Sequence, residues 1–187
     1  MAITAIDKKT ALVIIDLQKG IVGMPVVHPV KEVIENAAKL VKAFKAASLP
    51  VIAVNVNFSA DWADALRPRV DYVLNFTPPA GWHELVPELG LDANDIRITK
   101  RNWNAFYGTE LELQLRRRGI TNIVLAGIST SIGVEGTARA AYEQGFNISF
   151  ALDAITDTIL SAHENSVNTI FPRIGEVGAT EDIIKHL

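Results

Sequence analysis

The stretch LAGISTSIGVEGTARAA, residues 125–141, reads as a strand that runs into a helix through a tight turn. Leu125 and Ala126 close an apolar run, small hydroxyl residues and two glycines follow, and a helix of small residues begins. A helix start presents unpaired N–H groups and a partial positive charge, so such a turn attracts anions. Gly127 and Gly133 let the backbone approach a ligand with no Cβ in the way. The same stretch also reads as a plain corner in which Ser129, Thr130 and Ser131 only cap the helix.

Outward from this turn the alternation repeats. ALVIID (11–16), VIAVNV (51–56), DIRITK (95–100), NIVLAG (122–127) and NISFALD (147–153) are strand-length runs, and RIGEV (173–177) is a weak sixth. Runs apolar on both faces suit a parallel sheet covered on both sides. Between them, Val30, Val33, Ile34, Ala37, Leu40, Val41 and Phe44 recur at helix spacing in 30–48. Further helices are expected over 108–118, 131–145, 161–171 and 180–186, with Gly119 and Gly145 as C-terminal caps. Segment 57–94, with Pro68, Pro78, Pro79 and Pro87, reads as an excursion able to shape a pocket mouth. The expected fold is a three-layer α/β/α, doubly wound domain with a mainly parallel six-stranded sheet, Rossmann-like, occupying 1–187.

Composition narrows the partners. The 187 residues are 49% apolar and 21% charged, an ordinary globular mix. A formal net charge of -3 argues against a nucleic-acid binder. The basic run Arg116–Arg118 falls at a helix end, where it complements the dipole. No apolar stretch is long enough to span a bilayer and no export signal is legible, so a cytoplasmic location is expected. Cysteine is absent, which removes disulfides and thiol chemistry together. His28, His83, His163 and His186 are each isolated in sequence, so no metal and no cofactor are expected. Neither a P-loop nor a dinucleotide glycine motif is present.

In doubly wound folds ligands bind beyond the carboxyl ends of the strands. Four polar features fall there: Asp16 with Gln18, Asn55 with Asn57, Lys100, and the turn 128–133. Each alone has a plain structural reading, as a turn cap, a surface lysine or a helix cap. Together they describe a pocket with an acid, a cation and oriented amides. Trp82 and Trp103 fall near its expected mouth.

Three ordered segments carry a resemblance: ALVIIDLQKGIV, ITKRNWNAFYGTELELQLRRRGI and IVLAGISTSIGVEGTARAAYEQGFNISFALDAITD. Over nearly its whole length the chain resembles the isochorismatase-like hydrolase superfamily, in particular short bacterial members with a GISTxIGVE elbow. The resemblance implies an Asp–Lys–Cys triad, in which Asp16 matches the acid, Lys100 the lysine, and Gly133 the place of the cysteine. It further implies a cis peptide at Ile128–Ser129. The aspartate-and-histidine metal pattern of nicotinamidases is missing from 55–65. On this reading Asp16, Lys100 and Gly133 carry catalysis, while Gln18, Ile128, Ser129, Thr130, Ser131, Trp103 and Phe106 bind substrate.

Isochorismatases, which also carry glycine there, cleave a vinyl ether without a covalent nucleophile. An acid protonates the vinylic carbon, water adds to the oxocarbenium ion, and the hemiketal collapses. An aspartate, a lysine and an open space above a glycine suffice. Their elbow carries bulkier side chains where this chain has Ser129 and Ser131, which leaves the substrate open. Asp16 must then hold a proton, although an ordinary aspartate titrates near 3.9. Burial raises that value, Lys100 lowers it, and an anionic substrate tips the balance upward. The expected function is hydrolysis of a small, anionic, carboxylated molecule. An amide or imide hydrolase using water or serine, and an inactive binding or scaffolding protein, are the alternatives. A homo-oligomer, dimer or larger, is expected from the resemblance.

Overall fold

The continuous apolar runs become six strands: β1 (Thr10–Ile15), β2 (Val51–Val56), β3 (Ile96–Lys100), β4 (Asn122–Ile128), β5 (Asn147–Thr156) and β6 (Glu176–Gly178). The computed structural model describes residues 3–71 and 77–187, so residues 72–76 of the expected 57–94 excursion lie outside the described residues. Every strand pairing is parallel, and the order is β3-β2-β1-β4-β5-β6. The helices are α1 (Lys19–Val22), α2 (Val30–Ala46), α3 (Leu111–Arg117), α4 (Glu135–Glu143), α5 (Leu160–Asn165), α6 (Phe171–Ile174) and α7 (Thr180–Ile184).

Side chains alternate across the sheet because strand geometry has a period of two. Ala11, Val13, Ile15, Ile123 and Leu125 face one core with Leu111 and Leu115 of α3, Ala138 and Ala141 of α4 and Phe171 of α6. Leu12, Ile14, Val124 and Ala126 face the other core with α2 and with Ile183 of α7. The helix spacing read in 30–48 is the buried stripe Val33, Ala37, Leu40, Val41 and Phe44. Each large side chain so buried contributes roughly 1.5–3 kcal/mol.

Three expectations are corrected. The helix expected over 161–171 is broken into α5, a π-helical turn (Ser166–Ile170) and α6, with Pro172 in the first turn of α6. The sixth strand lies at Glu176–Gly178, because 171–174 continue as helix. The helix expected from 131 opens with a second π-helical turn, Thr130–Val134. Within β5 the pairing jumps from Leu125–Phe150 to Gly127–Ile155, and the sheet bulges around Asp153. That residue is held from outside: its carboxylate accepts the Thr180 N–H at 2.7 Å, and Asn36 donates to its carbonyl at 2.9 Å.

Sheet order decides where a ligand can sit. Connections leave in opposite directions on either side of the β1–β4 pair, which opens a crevice at their carboxyl ends. Ile15 pairs with Gly127 there, so Asp16 and the elbow after β4 share that crevice.

Candidate active site

Asp16 leaves β1 in the left-handed region, with φ of 51°, a conformation that aspartate tolerates better than most residues. Its N–H donates to Val54 O at 2.9 Å, and its carbonyl accepts from Gln18 N at 2.8 Å, so the backbone is fixed on both sides. Oδ2 of Asp16 lies 2.7 Å from Nζ of Lys100. Lys100 ends β3, two places away in the sheet, so its long side chain spans the end of β2. The two residues are only 6% and 3% exposed. Lys100 also donates to Asn102 O at 3.1 Å.

The second carboxylate oxygen, Oδ1 of Asp16, is buried without a hydrogen-bond partner. Burial pushes the Asp16 carboxyl up to about 6, against the downward pull of the Lys100 ammonium and its hydrogen bond. Both opposing effects expected from the sequence operate, and desolvation prevails without any ligand.

The elbow approaches from β4. Gly127 has φ of 125°, and a Cβ there would lie 2.0 Å from Ile15 O, so close pairing with β1 demands glycine. The Ile128–Ser129 peptide is cis, at the place the resemblance implied. The π-helical turn then carries Gly133 beneath Asp16: a Cβ at 133 would stand 3.3 Å from Asp16 Oδ2 and 2.8 Å from Ile15 Cγ2. The space above this glycine is therefore narrower than expected, since the Ile15 methyl already fills part of it. Thr137 Oγ1 donates to Gly133 O at 2.7 Å and accepts the Ala105 N–H at 3.0 Å, tying the loop after β3 to the elbow.

The other residues named from the sequence divide. Gln18 is fully buried; its amide donates to Val56 O at 3.0 Å and Trp82 O at 3.2 Å and accepts from Val56 N at 2.8 Å. Gln18 is thus engaged with main chain rather than turned to a ligand. Asn55 is engaged likewise, with His83 O at 2.9 Å and Thr99 Oγ1 at 2.8 Å. Ser129 and Ser131 are half-buried at the elbow, Ile128 and Thr130 are buried in it, and Thr130 Oγ1 lies 2.9 Å from His163 Nδ1. Phe106 belongs to the core, 6.0 Å from the Phe146 ring, and Trp103 is 62% exposed; the structure joins neither to the Asp16–Lys100 pair. On the β2 side, Phe58, Trp62 and Trp82 form an aromatic cluster, with the two indoles stacked at 6.3 Å.

Asp157 was not singled out in the sequence. It is buried at the end of β5, and Oδ2 accepts the Ser131 N–H at 2.7 Å. The anion expected at this helix start is therefore supplied by the protein. Asp157 ends the run DAITD, so the strand-end rule that found Asp16 could have found it too. His28 and His163 stand isolated in sequence, yet their rings lie 4.6 Å apart, a pairing across 135 positions that no local pattern signals. Among the described residues no group of three or more side chains is gathered as a metal site. Clefts of about 300 and 420 Å³ open at the amino ends of the strands, the edge opposite Asp16.

The isochorismatase domain profile matches residues 10–182. The chain belongs to the isochorismatase family. This isochorismatase-family hydrolase is 50% identical to the uncharacterized isochorismatase family protein YecD of Escherichia coli O157:H7, over 96% of this chain and 97% of that one. It is 47% identical to the uncharacterized isochorismatase family protein YwoC of Bacillus subtilis strain 168, over 96% and 95%. The solved structure of an isochorismatase family protein from Burkholderia thailandensis superposes with a TM-score of 0.92 at 42% identity, covering 98% and 97%. More distant relatives include the ureidoacrylate amidohydrolase RutB of Acinetobacter baylyi, 28% identical over 98% of this chain and 85% of that one. The maleamate amidohydrolase of Pseudomonas putida is 27% identical, over 96% and 87%.

Proposed function

We propose that this isochorismatase-family hydrolase cleaves a small carboxylated vinyl ether by proton donation from Asp16, with water in place of a protein nucleophile. The observation that carries the reading is the unpartnered Oδ1 of Asp16, beside an Oδ2 already engaged by Lys100. A proton on this carboxyl resides on Oδ1, where no protein acceptor competes for it. The raised carboxyl, about 6, keeps a useful fraction protonated near neutrality. Gly133 adds no side chain on the Oδ2 side of this carboxyl, where the Ile15 methyl already fills part of the space, and the absence of cysteine matches a route with no thiolate attack.

The steps balance. Asp16 Oδ1–H protonates the terminal vinylic carbon, which becomes a methyl group, and the ether oxygen stabilises the oxocarbenium ion. Water adds to the ether-bearing carbon of that ion, giving a hemiketal, and returns a proton to the Asp16 carboxylate. The hemiketal collapses to an alcohol and a 2-oxo acid. Lys100 supplies the positive charge that attracts the substrate carboxylate; that anion in turn offsets the pull of Lys100 on Asp16.

Water-driven amide hydrolysis is the second reading, because the relatives named above include amidohydrolases. Thr130 is unsuited as a substitute nucleophile, being fully buried. The two readings separate when carboxylated vinyl ethers and short amides are offered to the wild-type protein and to Asp16→Asn. Release of a 2-oxo acid by the wild type, lowered about 10²–10⁴-fold in Asp16→Asn, is the expected result. Release of ammonia from amides alone, or full vinyl-ether activity in Asp16→Asn, overturns it. Binding without turnover of either class also overturns it.

A further inference from the structure

The elbow is braced from behind by two histidines that the proposed chemistry does not use. His163, on α5, places Nδ1 2.9 Å from Thr130 Oγ1. His28, in the loop before α2, places Nδ1 2.9 Å from Thr156 Oγ1. The ring centroids are 4.6 Å apart, with the planes inclined by 60°. Both threonines are fully buried, whereas both histidines are half-buried. Thr156 stands opposite Ile128 in the β4–β5 pairing and precedes Asp157, whose carboxylate holds the Ser131 N–H. Each contact thus ends on the elbow or on the strand end that braces it.

Thr156 Oγ1 also accepts the His28 backbone N–H at 3.3 Å, beside its contact with His28 Nδ1. Thr130 Oγ1 has His163 Nδ1 as its sole hydrogen-bond partner among the described residues. A neutral imidazole with its proton on Nε2 accepts at Nδ1 and satisfies each hydroxyl. Protonating Nδ1 turns it into a donor and leaves the buried threonine proton without an acceptor, which carries the full desolvation penalty. Two imidazolium rings at this separation also repel each other. The charged groups around His163 are His28 from the loop, Asp157 from the end of β5 and Glu164 from α5 itself. Asp157 and Glu164 favour the cation, but burial and the neighbouring His28 hold His163 below the usual imidazole range.

We propose that His28 and His163 are positioning residues that hold the elbow in place only while both are neutral, so that uptake of one proton by the pair loosens Thr130 and Ser131. The readout is the elbow itself, without substrate, so the proposal stands or falls apart from the reaction above.

The test is amide hydrogen exchange at residues 130–134 between pH 7 and pH 5, corrected for the intrinsic pH dependence of exchange. It compares the full-length wild type with the His28→Asn/His163→Asn double variant. Asparagine offers an acceptor near the place of Nδ1 and does not titrate. The wild-type elbow is expected to lose roughly tenfold or more of its protection at pH 5 while β1 stays protected, and the double variant to show no such change. Unchanged wild-type protection overturns the proposal, as does an equal acid loss in the double variant, which would assign it to another group. NMR titration of the imidazole Cε1 protons in the wild type tests the same point independently of whether the variant folds. One ring is expected to titrate in step with elbow exchange, below the ordinary value near 6.5. Two rings titrating independently at that ordinary value overturn the pairing.

Discussion

In the proposed reaction Asp16 must be acidic enough to give a proton and buried enough to keep one. The sequence shows why the conflict exists: the carboxylate ends an apolar run, and the matching lysine ends a shorter, more polar strand. It does not show which effect prevails, because desolvation depends on atoms from β4 and the elbow that are distant in the chain. With the carboxyl near 6, kcat/KM is expected to fall about tenfold per pH unit above that value, since only the protonated free enzyme reacts. Lys100→Met removes both downward influences and should move this descending limb up by roughly one unit or more. A limb that stays in place in Lys100→Met means that another group supplies the proton. Stability carries the same sign. A raised folded value means that the contribution of protonated Asp16 is present below about 3.8 and lost as pH rises through about 6.

At the scale of elements, the turn from β4 into α4 contains two glycines required for different reasons. Gly127 combines φ of 125° with a Cβ position 2.0 Å from a backbone oxygen, so nothing flexible can yield. Gly133 has an ordinary φ, and its Cβ position meets the Ile15 Cγ2 methyl at 2.8 Å. Gly127→Ala is therefore expected to yield no folded protein. Gly133→Ala should fold with a loss of about 1–3 kcal/mol, the usual cost of overpacking. Urea denaturation of Gly133→Ala, Ile15→Ala and the double variant checks the cause. The double variant should be more stable than the sum of the single losses by roughly 1 kcal/mol or more, and strict additivity would rule out the Ile15 clash. Both glycines were legible as close-approach residues. The π-helical turn was not, because its hydrogen-bond pattern differs from that of an α-helix by one residue and leaves the apolar spacing of 131–145 intact. Asn122, Thr137 and Gln18 were likewise hidden or misread: a buried polar side chain reveals its role only through the backbone groups it satisfies.

For the molecule as a whole, the alternation of strands and helices is written in the chain, and with it the layered fold and the strand-end edge proposed to take the ligand. Strand order was not, because no local pattern states that β1 lies between β2 and β4. That order has a mechanical consequence for the site. β1 and β4 are buried along their whole length, and six residue pairs join them. β3 is an edge strand whose side chains alternate between buried and exposed, and β6 is a three-residue edge. Asp16 and the elbow thus hang from the most enclosed strands, and Lys100 hangs from an edge. Amides with few solvent-exposed openings exchange only when the whole molecule unfolds, whereas edges open locally. Native-state hydrogen exchange should therefore give β1 and β4 the free energy found by denaturant unfolding, with β3 and β6 opening at distinctly lower values. If so, the ammonium can part from the carboxylate by local opening of β3 while Asp16 and Gly133 keep their relation, and the acid outlasts its cation. Exchange in β3 as slow as in β1 would instead make the Asp16–Lys100 pair and the central strands a single cooperative unit.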